Sequence, residues 1–244
     1  MSLIKIINVH KSFGAQKVLT GVNLEIKHGQ TLALIGASGK GKSVLLKHII
    51  GLMAPDEGTI MINGMDISHV RGKKRLELKD RMGIVFQFGA LFDSLSVYEN
   101  VAFPLKEKTK LPSSKIRERV IAELAMVGLE NDLEKFPAQI SGGMRKRLAL
   151  ARCLVLEPQI IFFDEPTTGL DPVIAASIYR IIRNLQNERK LTALIVSHEI
   201  PGIFKVVDRV AMLHDGKIIQ SGTPEEIQNS QHKAVQQFLT GELE

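Results

Sequence analysis

Between polar boundaries, residues 3–9 (Leu-Ile-Lys-Ile-Ile-Asn-Val) form a short, mostly apolar run rich in β-branched side chains, which predicts a strand. Residues 18–26 predict another. Residues 31–35 (Thr-Leu-Ala-Leu-Ile) are almost wholly apolar, so both faces of that strand are covered, as in a buried parallel sheet. The same character recurs at 160–163 (Ile-Ile-Phe-Phe) and 191–196. All three buried runs end in polar residues: a glycine loop from Gly36, the pair Asp164-Glu165, and Ser197-His198. Open parallel sheets bind ligands beyond the carboxyl ends of their strands, so these three groups are expected to converge on one site.

Residues 113–127 and 144–156 carry apolar side chains at helical spacing without strand-like alternation. The stretch 88–156 is therefore expected to be a helical lobe inserted into a sheet-bearing core of residues 1–87 and 157–222, all within one unit, 1–244. Asp215-Gly216 between two short apolar runs predicts a hairpin. Thr223-Pro-Glu-Glu226 predicts a capped helix over 223–244, with Val235, Phe238 and Leu239 on one face. The fold class is α/β.

Composition narrows the setting. Hydrophobic residues make up 44% and charged residues 24%, which suits a packed globular chain rather than a disordered or fibrous one. Lys and Arg exceed Asp and Glu by a formal +6, compatible with phosphate ligands, nucleic acid or an acidic surface, and equally with none of them. A single cysteine, Cys153, excludes an internal disulfide and points to a reducing compartment and a core position. Lys5 and Lys11 interrupt the apolar N-terminal stretch, so no signal peptide is expected. No run approaches the roughly 18 apolar residues of a spanning helix.

The chemistry-bearing motifs follow the strand ends. Gly36, Ala37, Ser38, Gly39, Lys40, Gly41, Lys42 and Ser43 fit G-x-x-x-x-G-K-[ST] between a strand and a helix. Backbone N–H groups of such a loop surround phosphate oxygens, the lysine reaches the terminal phosphates and the serine binds Mg²⁺. Lys40 faces either phosphate or solvent. Asp164 suits the Mg²⁺ shell and Glu165 the polarisation of an attacking water, although acids before Pro166 are as often turn residues. Ser141, Gly142, Gly143 and Met144 open a helix, offering phosphate a helix N-terminus or simply supplying an N-cap. The basic residues Arg145, Lys146, Arg147 and Arg152 beyond them are expected to be mostly a solvated face, as are those from Arg71 to Arg75. His198, beside the other strand ends, is expected to contact phosphate.

Taken in order, Gly36 to Ser43, Gln87, Ser141 to Met144, Asp164-Glu165, Asp171 and His198 resemble the ATP-binding cassette (ABC) ATPases across nearly the whole chain. The resemblance implies a P-loop ATPase core with an antiparallel β subdomain and an inserted helical subdomain, using ATP and Mg²⁺. It implies that Phe13 stacks on adenine and that Gln87, with Ser43 and Asp164, serves the metal. Lys42, Glu165 and His198 are then the catalytic residues. It also implies a head-to-tail dimer, in which Ser141 to Met144 of one copy close over ATP held by the other, with Gly169-Leu170-Asp171 at the interface. Two departures stand out: Met144 replaces the usual signature glutamine, and Phe13 the commoner tyrosine, which keeps stacking and loses a hydroxyl.

Too few positions separate Gln87 from Ser141 for the coiled-coil insertion of DNA-repair relatives, and no second cassette is present. The chain is thus expected to pair with separate permease chains, at the peripheral cytoplasmic face of the cell membrane, with no nucleic acid partner. Phe88, Leu91 and Phe92 either contact the permease or pack inside the helical lobe. The Ser-Gly-Gly-Met144-Arg-Lys-Arg run, 88–92, 99–105 and 237–241 resemble the ATPases of MCE-type (Mla-like) phospholipid transport systems, implying an MCE-domain partner. Polar amino acid importers and a non-transport ABC switch protein are the alternatives.

Overall fold

A computed structural model describes residues 2–200 and 202–242. In chain order the elements are β1 (Ser2–Phe13), β2 (Gln16–Lys27), β3 (Thr31–Ile35), α1 (Lys42–Ile49), β4 (Glu57–Ile62), β5 (Met65–Asp66), α2 (Gly72–Asp80), β6 (Met82–Val85), α3 (Val97–Lys108), α4 (Ser113–Met126), α5 (Gly142–Leu154), β7 (Ile160–Asp164), α6 (Pro172–Arg189), β8 (Thr192–Val196), β9 (Arg209–His214), β10 (Lys217–Gly222), α7 (Pro224–Gln228) and α8 (Lys233–Leu239).

Two sheets divide the strands. One has six strands in the order β10-β9-β3-β8-β7-β6, and the other four in the order β2-β1-β4-β5. Strands β3, β6, β7, β8 and β9 run parallel, and β10 closes the sheet antiparallel to β9. The smaller sheet is antiparallel throughout.

The alternation of side chains along the central strands builds two cores at once. Leu32 and Leu34 of β3, Ile160 and Phe162 of β7, and Leu194 and Val196 of β8 pack towards α1 and the smaller sheet. Ala33 and Ile35, Ile161 and Phe163, and Ala193 and Ile195 face the other way, against the helices. Burial of each such Leu, Ile or Phe stabilises the fold by about 1.5–3 kcal/mol, which explains why successive positions on both faces of these strands are apolar.

Helices α3, α4 and α5 occupy the chain between β6 and β7 and pack on one another. Ser96 and Glu99 form a reciprocal capping box that starts α3, and Ser141 caps α5 by accepting from the Met144 N–H. The lobe is fixed to α6 through Arg189, whose Nη2 donates to Glu123 at 2.8 Å.

Two expectations need correction. The C-terminal helix over 223–244 is two helices: Thr223 caps α7 in a capping box, but α7 ends at Gln228 and α8 starts only at Lys233. Ser230 causes the break by accepting from the His232 N–H at 3.1 Å and bonding Gln220 of β10. Residues 243–244 lie outside the described residues. Of the basic residues after Met144, Arg145 is exposed as expected, but Lys146, Arg147 and Arg152 are half-buried, and the side chains of this run reach backbone: Arg145 donates to Ile140 O at 2.8 Å, Arg147 to Val127 O at 2.8 Å and Arg152 to Gly89 O at 2.8 Å. They satisfy loop carbonyls that have no partner in regular structure. Arg71, Lys73 and Lys74 are exposed as expected.

Candidate functional site

The loop between β3 and α1 folds as it does because its glycines take conformations and approaches closed to other residues. Gly36 has φ +147° and lies so close to the Leu213 carbonyl of β9 that no Cβ fits, and Gly41 has φ +99° against Val18 of β2. Strand β2 therefore lies against the loop, and the turn after β9 is tied to it by the Thr20 N–H donating to Gly216 O at 2.8 Å.

Lys42 is the first residue of α1 and only 4% exposed. Its Nζ curls back to donate to Gly36 O at 2.7 Å and Ala37 O at 2.8 Å. Burial holds its pKa below the ordinary lysine value, opposed by the nearby charges of Glu165 and Asp164. A desolvated ammonium with only carbonyl partners is poised to take phosphate oxygens in exchange. Ser38 and Gly39 are exposed and Lys40 half-buried.

Adjacent strands bring the acids alongside. Asp164 ends β7 and accepts from Ser43 Oγ at 3.2 Å. Burial raises the Asp164 pKa, partly countered by that hydrogen bond and reinforced by Glu165. Glu165, at φ +51°, leaves the strand with its N–H donating to Val196 O at 3.0 Å. Its Oε1 lies 3.0 Å from His198 Nδ1, just past β8. Its Oε2 accepts from Gln87 Nε2 at 3.1 Å and Thr168 Oγ1 at 3.2 Å. The three polar strand ends thus meet, with Gln87 from the end of β6 as a fourth.

His198 faces Glu165 in this arrangement, and Gln87 likewise sits on Glu165 rather than on the Ser43–Asp164 pair. Ser141 caps α5 and makes no side-chain hydrogen bond to the loop among the described residues, and Met144 packs on the lobe's core. Gly143 presses on α6, where a Cβ would stand 2.5 Å from Ile174 Cγ2. Asp171 caps α6, accepting from the Val173 and Ile174 N–H groups at 3.0 Å each. Phe13 ends β1 with 47% of its surface exposed and Lys11 Nζ 5.6 Å from its ring centre.

Three contacts escaped the sequence reading. Lys146 reaches the carbonyl oxygens of Gln87 and Glu165, the latter at 3.5 Å. Thr168 touches Glu165, and Thr167 Oγ1 donates to Glu199 at 2.5 Å. Nothing in the sequence pattern pointed to any of them.

Sparse carboxylates suit a cation that arrives with phosphate. Among the described residues no group of three or more His, Cys, Asp or Glu would hold a metal unaided. Mg²⁺ characteristically keeps several waters and binds through one or two carboxylates plus substrate phosphates, so Ser43 and Asp164 fit it.

A parallel sheet with this loop and these strand ends defines a P-loop nucleotide-binding core. The sequence model of the ABC transporter family matches residues 19–168, and the chain belongs to that family. The Haemophilus influenzae intermembrane phospholipid transport system ATP-binding protein MlaF is 40% identical over 99% of this chain and 91% of its own length. The Mycobacterium tuberculosis protein mkl, named for ribonucleotide transport ATP binding, is 45% identical over 98% of this chain; the chain spans 66% of mkl's length. Among solved structures, Clostridium perfringens cbiO1, part of the ABC transporter complex cbiONQ, superposes with a TM-score of 0.85 at 31% identity, covering 99% of each chain. An ATP-binding cassette solved as a dimer in a post-hydrolysis state with ADP and Pi superposes at 0.82 with 31% identity, over 91% of this chain and 98% of that one.

Proposed function

We propose that this chain is the ATP-hydrolysing subunit of a membrane transporter, and that the cargo is phospholipid. The observation that carries the hydrolase reading is the Glu165 carboxylate, held between His198 and Gln87 one residue beyond the Asp164–Ser43 pair. Gly36 to Ser43 cradle the phosphates and Lys42 exchanges its carbonyl partners for phosphate oxygens. Ser43 and Asp164 would hold Mg²⁺, which would supply charge neutralisation at the terminal phosphates. Glu165 orients and deprotonates water, and His198 fixes the carboxylate. Phe13 offers its exposed ring to adenine.

A second copy supports a complete site. Ser141 makes no side-chain hydrogen bond to the chain's own phosphate loop among the described residues; a head-to-tail partner's ATP would meet the N-terminus of α5, and Asp171 lies beside that face. The similar cassette with ADP and Pi is a dimer.

Transport coupling rests on a surface. Phe88 is 89% exposed, and Phe86, Phe92 and Phe103 are also exposed near it in sequence or contact. No described helix is long and apolar enough to cross a membrane. Separate permease chains seated on this face hold the subunit at the cytoplasmic side of the membrane. Similarity to MlaF supports phospholipid as cargo and an MCE-domain protein in the complex.

Affinity purification of Glu165→Gln with ATP from detergent-solubilised native membranes tests this. A permease, an MCE-domain protein and phospholipid are expected. A solute permease with a substrate-binding protein overturns the lipid reading, and recovery without any membrane protein overturns the transporter reading.

A further inference from the structure

We propose that Lys146 is a positioning residue that ties the placement of Gln87 and Glu165 to the position of α5, the helix that also carries Ser141 to Met144 at its start. This rests on the reading that Glu165 acts on water.

The argument starts with one helix stripe. Lys146, Ala149 and Arg152 recur every three residues along α5 and face the loop that leaves β6. Lys146 Nζ donates to the Gln87 carbonyl, and Arg152 donates to Ala90 O at 2.7 Å and Gly89 O at 2.8 Å. Between them Gly89, at φ +76°, lies against Ala149, where an added Cβ would stand 3.3 Å from the alanine methyl. Three carbonyls of residues 87–90 are thus held by two cationic side chains of one helix, and the loop has to follow that helix.

Lys146 alone extends the grip across to β7. Its Nζ also lies 3.5 Å from Glu165 O, while the side chain of Gln87 donates to the carboxylate of that same Glu165. The ammonium therefore bridges the backbones of two residues whose side chains touch. It is half-buried, and its donors satisfy carbonyls that regular structure leaves free. A shift of α5 relative to the sheet acts on both members of the Gln87–Glu165 pair through Lys146, whereas Arg152 reaches only the loop. Displacement by even a fraction of an ångström at a water-activating carboxylate changes turnover more than nucleotide binding, because the phosphate loop on α1 is not part of the bridge.

The full chain tests this with Lys146→Met, which keeps length and removes the donors, and Lys146→Arg, which restores charged donors. ATP affinity, melting temperature and kcat are measured for each, with Glu165→Gln alongside. Lys146→Met is expected to lower kcat about tenfold or more while ATP affinity stays within about twofold and the melting temperature is held. Lys146→Arg is expected to recover most of kcat. Wild-type kcat in Lys146→Met overturns the inference, as does a loss shared equally by affinity, melting temperature and both variants. Loss of turnover in Glu165→Gln with none in Lys146→Met removes the positioning role alone; full turnover in Glu165→Gln removes the hydrolysis reading and this role together.

Discussion

Gln87 and Glu165, 78 positions apart, are joined by a hydrogen bond of 3.1 Å from Nε2 to Oε2. The neighbouring parallel strands β6 and β7 make this possible by pairing Val85 with Phe163, so that both leave the sheet at the same, carboxyl end. One residue begins the loop bearing the exposed Phe88, and the other is the proposed water-activating acid. Any body that presses on the loop therefore acts next to the acid.

His198 holds the other oxygen of that carboxylate. His198→Ala frees it to swing, so hydrolysis should fall by about 10²-fold or more while ATP affinity changes little. Steady-state turnover beside equilibrium nucleotide binding checks this, and equal losses in both would assign His198 to binding.

Phe13 is exposed at the end of β1 and forms no ring pair with another aromatic among the described residues. Stacking on a base is worth about 1–3 kcal/mol by alanine substitution, so Phe13→Ala should weaken ATP binding by about tenfold. Phe13→Tyr should bind as the native chain does. Titration calorimetry with ATP and with pyrophosphate separates the two effects, since pyrophosphate binding should not respond.

Gly143 touches Ile174 of α6 where a methyl group has no room. Gly143→Ala should cost about 1–3 kcal/mol, lowering the melting temperature by several degrees for a chain of this size. Adding Ile174→Ala should return part of the loss. A melting curve unchanged by the single substitution would show that α5 and α6 are not packed this way.

Much of this arrangement is legible in the sequence because burial on two sides leaves the interiors of β3, β7 and β8 wholly apolar, with polar residues only at their ends (Thr31, Asp164 and Thr192), and the glycine loop follows one of them directly. Other elements are masked by local chemistry. β6 is four residues long and contains Gly83; α3 contains Pro104; α2 carries Lys73, Lys74 and Arg75 on a mostly exposed surface. The roles of Lys146 and Arg152 were hidden because a basic run reads as solvated whenever its partners are backbone carbonyls far along the chain. Gly83 also explains Cys153, since the thiol packs where a side chain at that glycine would stand.

That packing pushes the Cys153 thiol up to about 12 from its ordinary 9.0, chiefly by burial. The folded state then keeps a proton that the unfolded chain releases. The resulting stabilisation is fully present below about pH 9, and is lost as pH rises from there towards 12. Iodoacetamide should modify the half-buried thiol of the native chain far more slowly near pH 8 than that of the denatured chain. Rapid labelling of the native chain would place the thiol in solvent.

The proposal that Glu165 drives hydrolysis between two copies is tested most directly by Glu165→Gln with Mg²⁺ and ATP, read by sedimentation velocity and phosphate release on the same sample. A stable dimer with bound ATP, and hydrolysis slowed by about 10²-fold or more, is the expected result. Native-rate hydrolysis, or a chain that binds ATP yet stays monomeric, would contradict it.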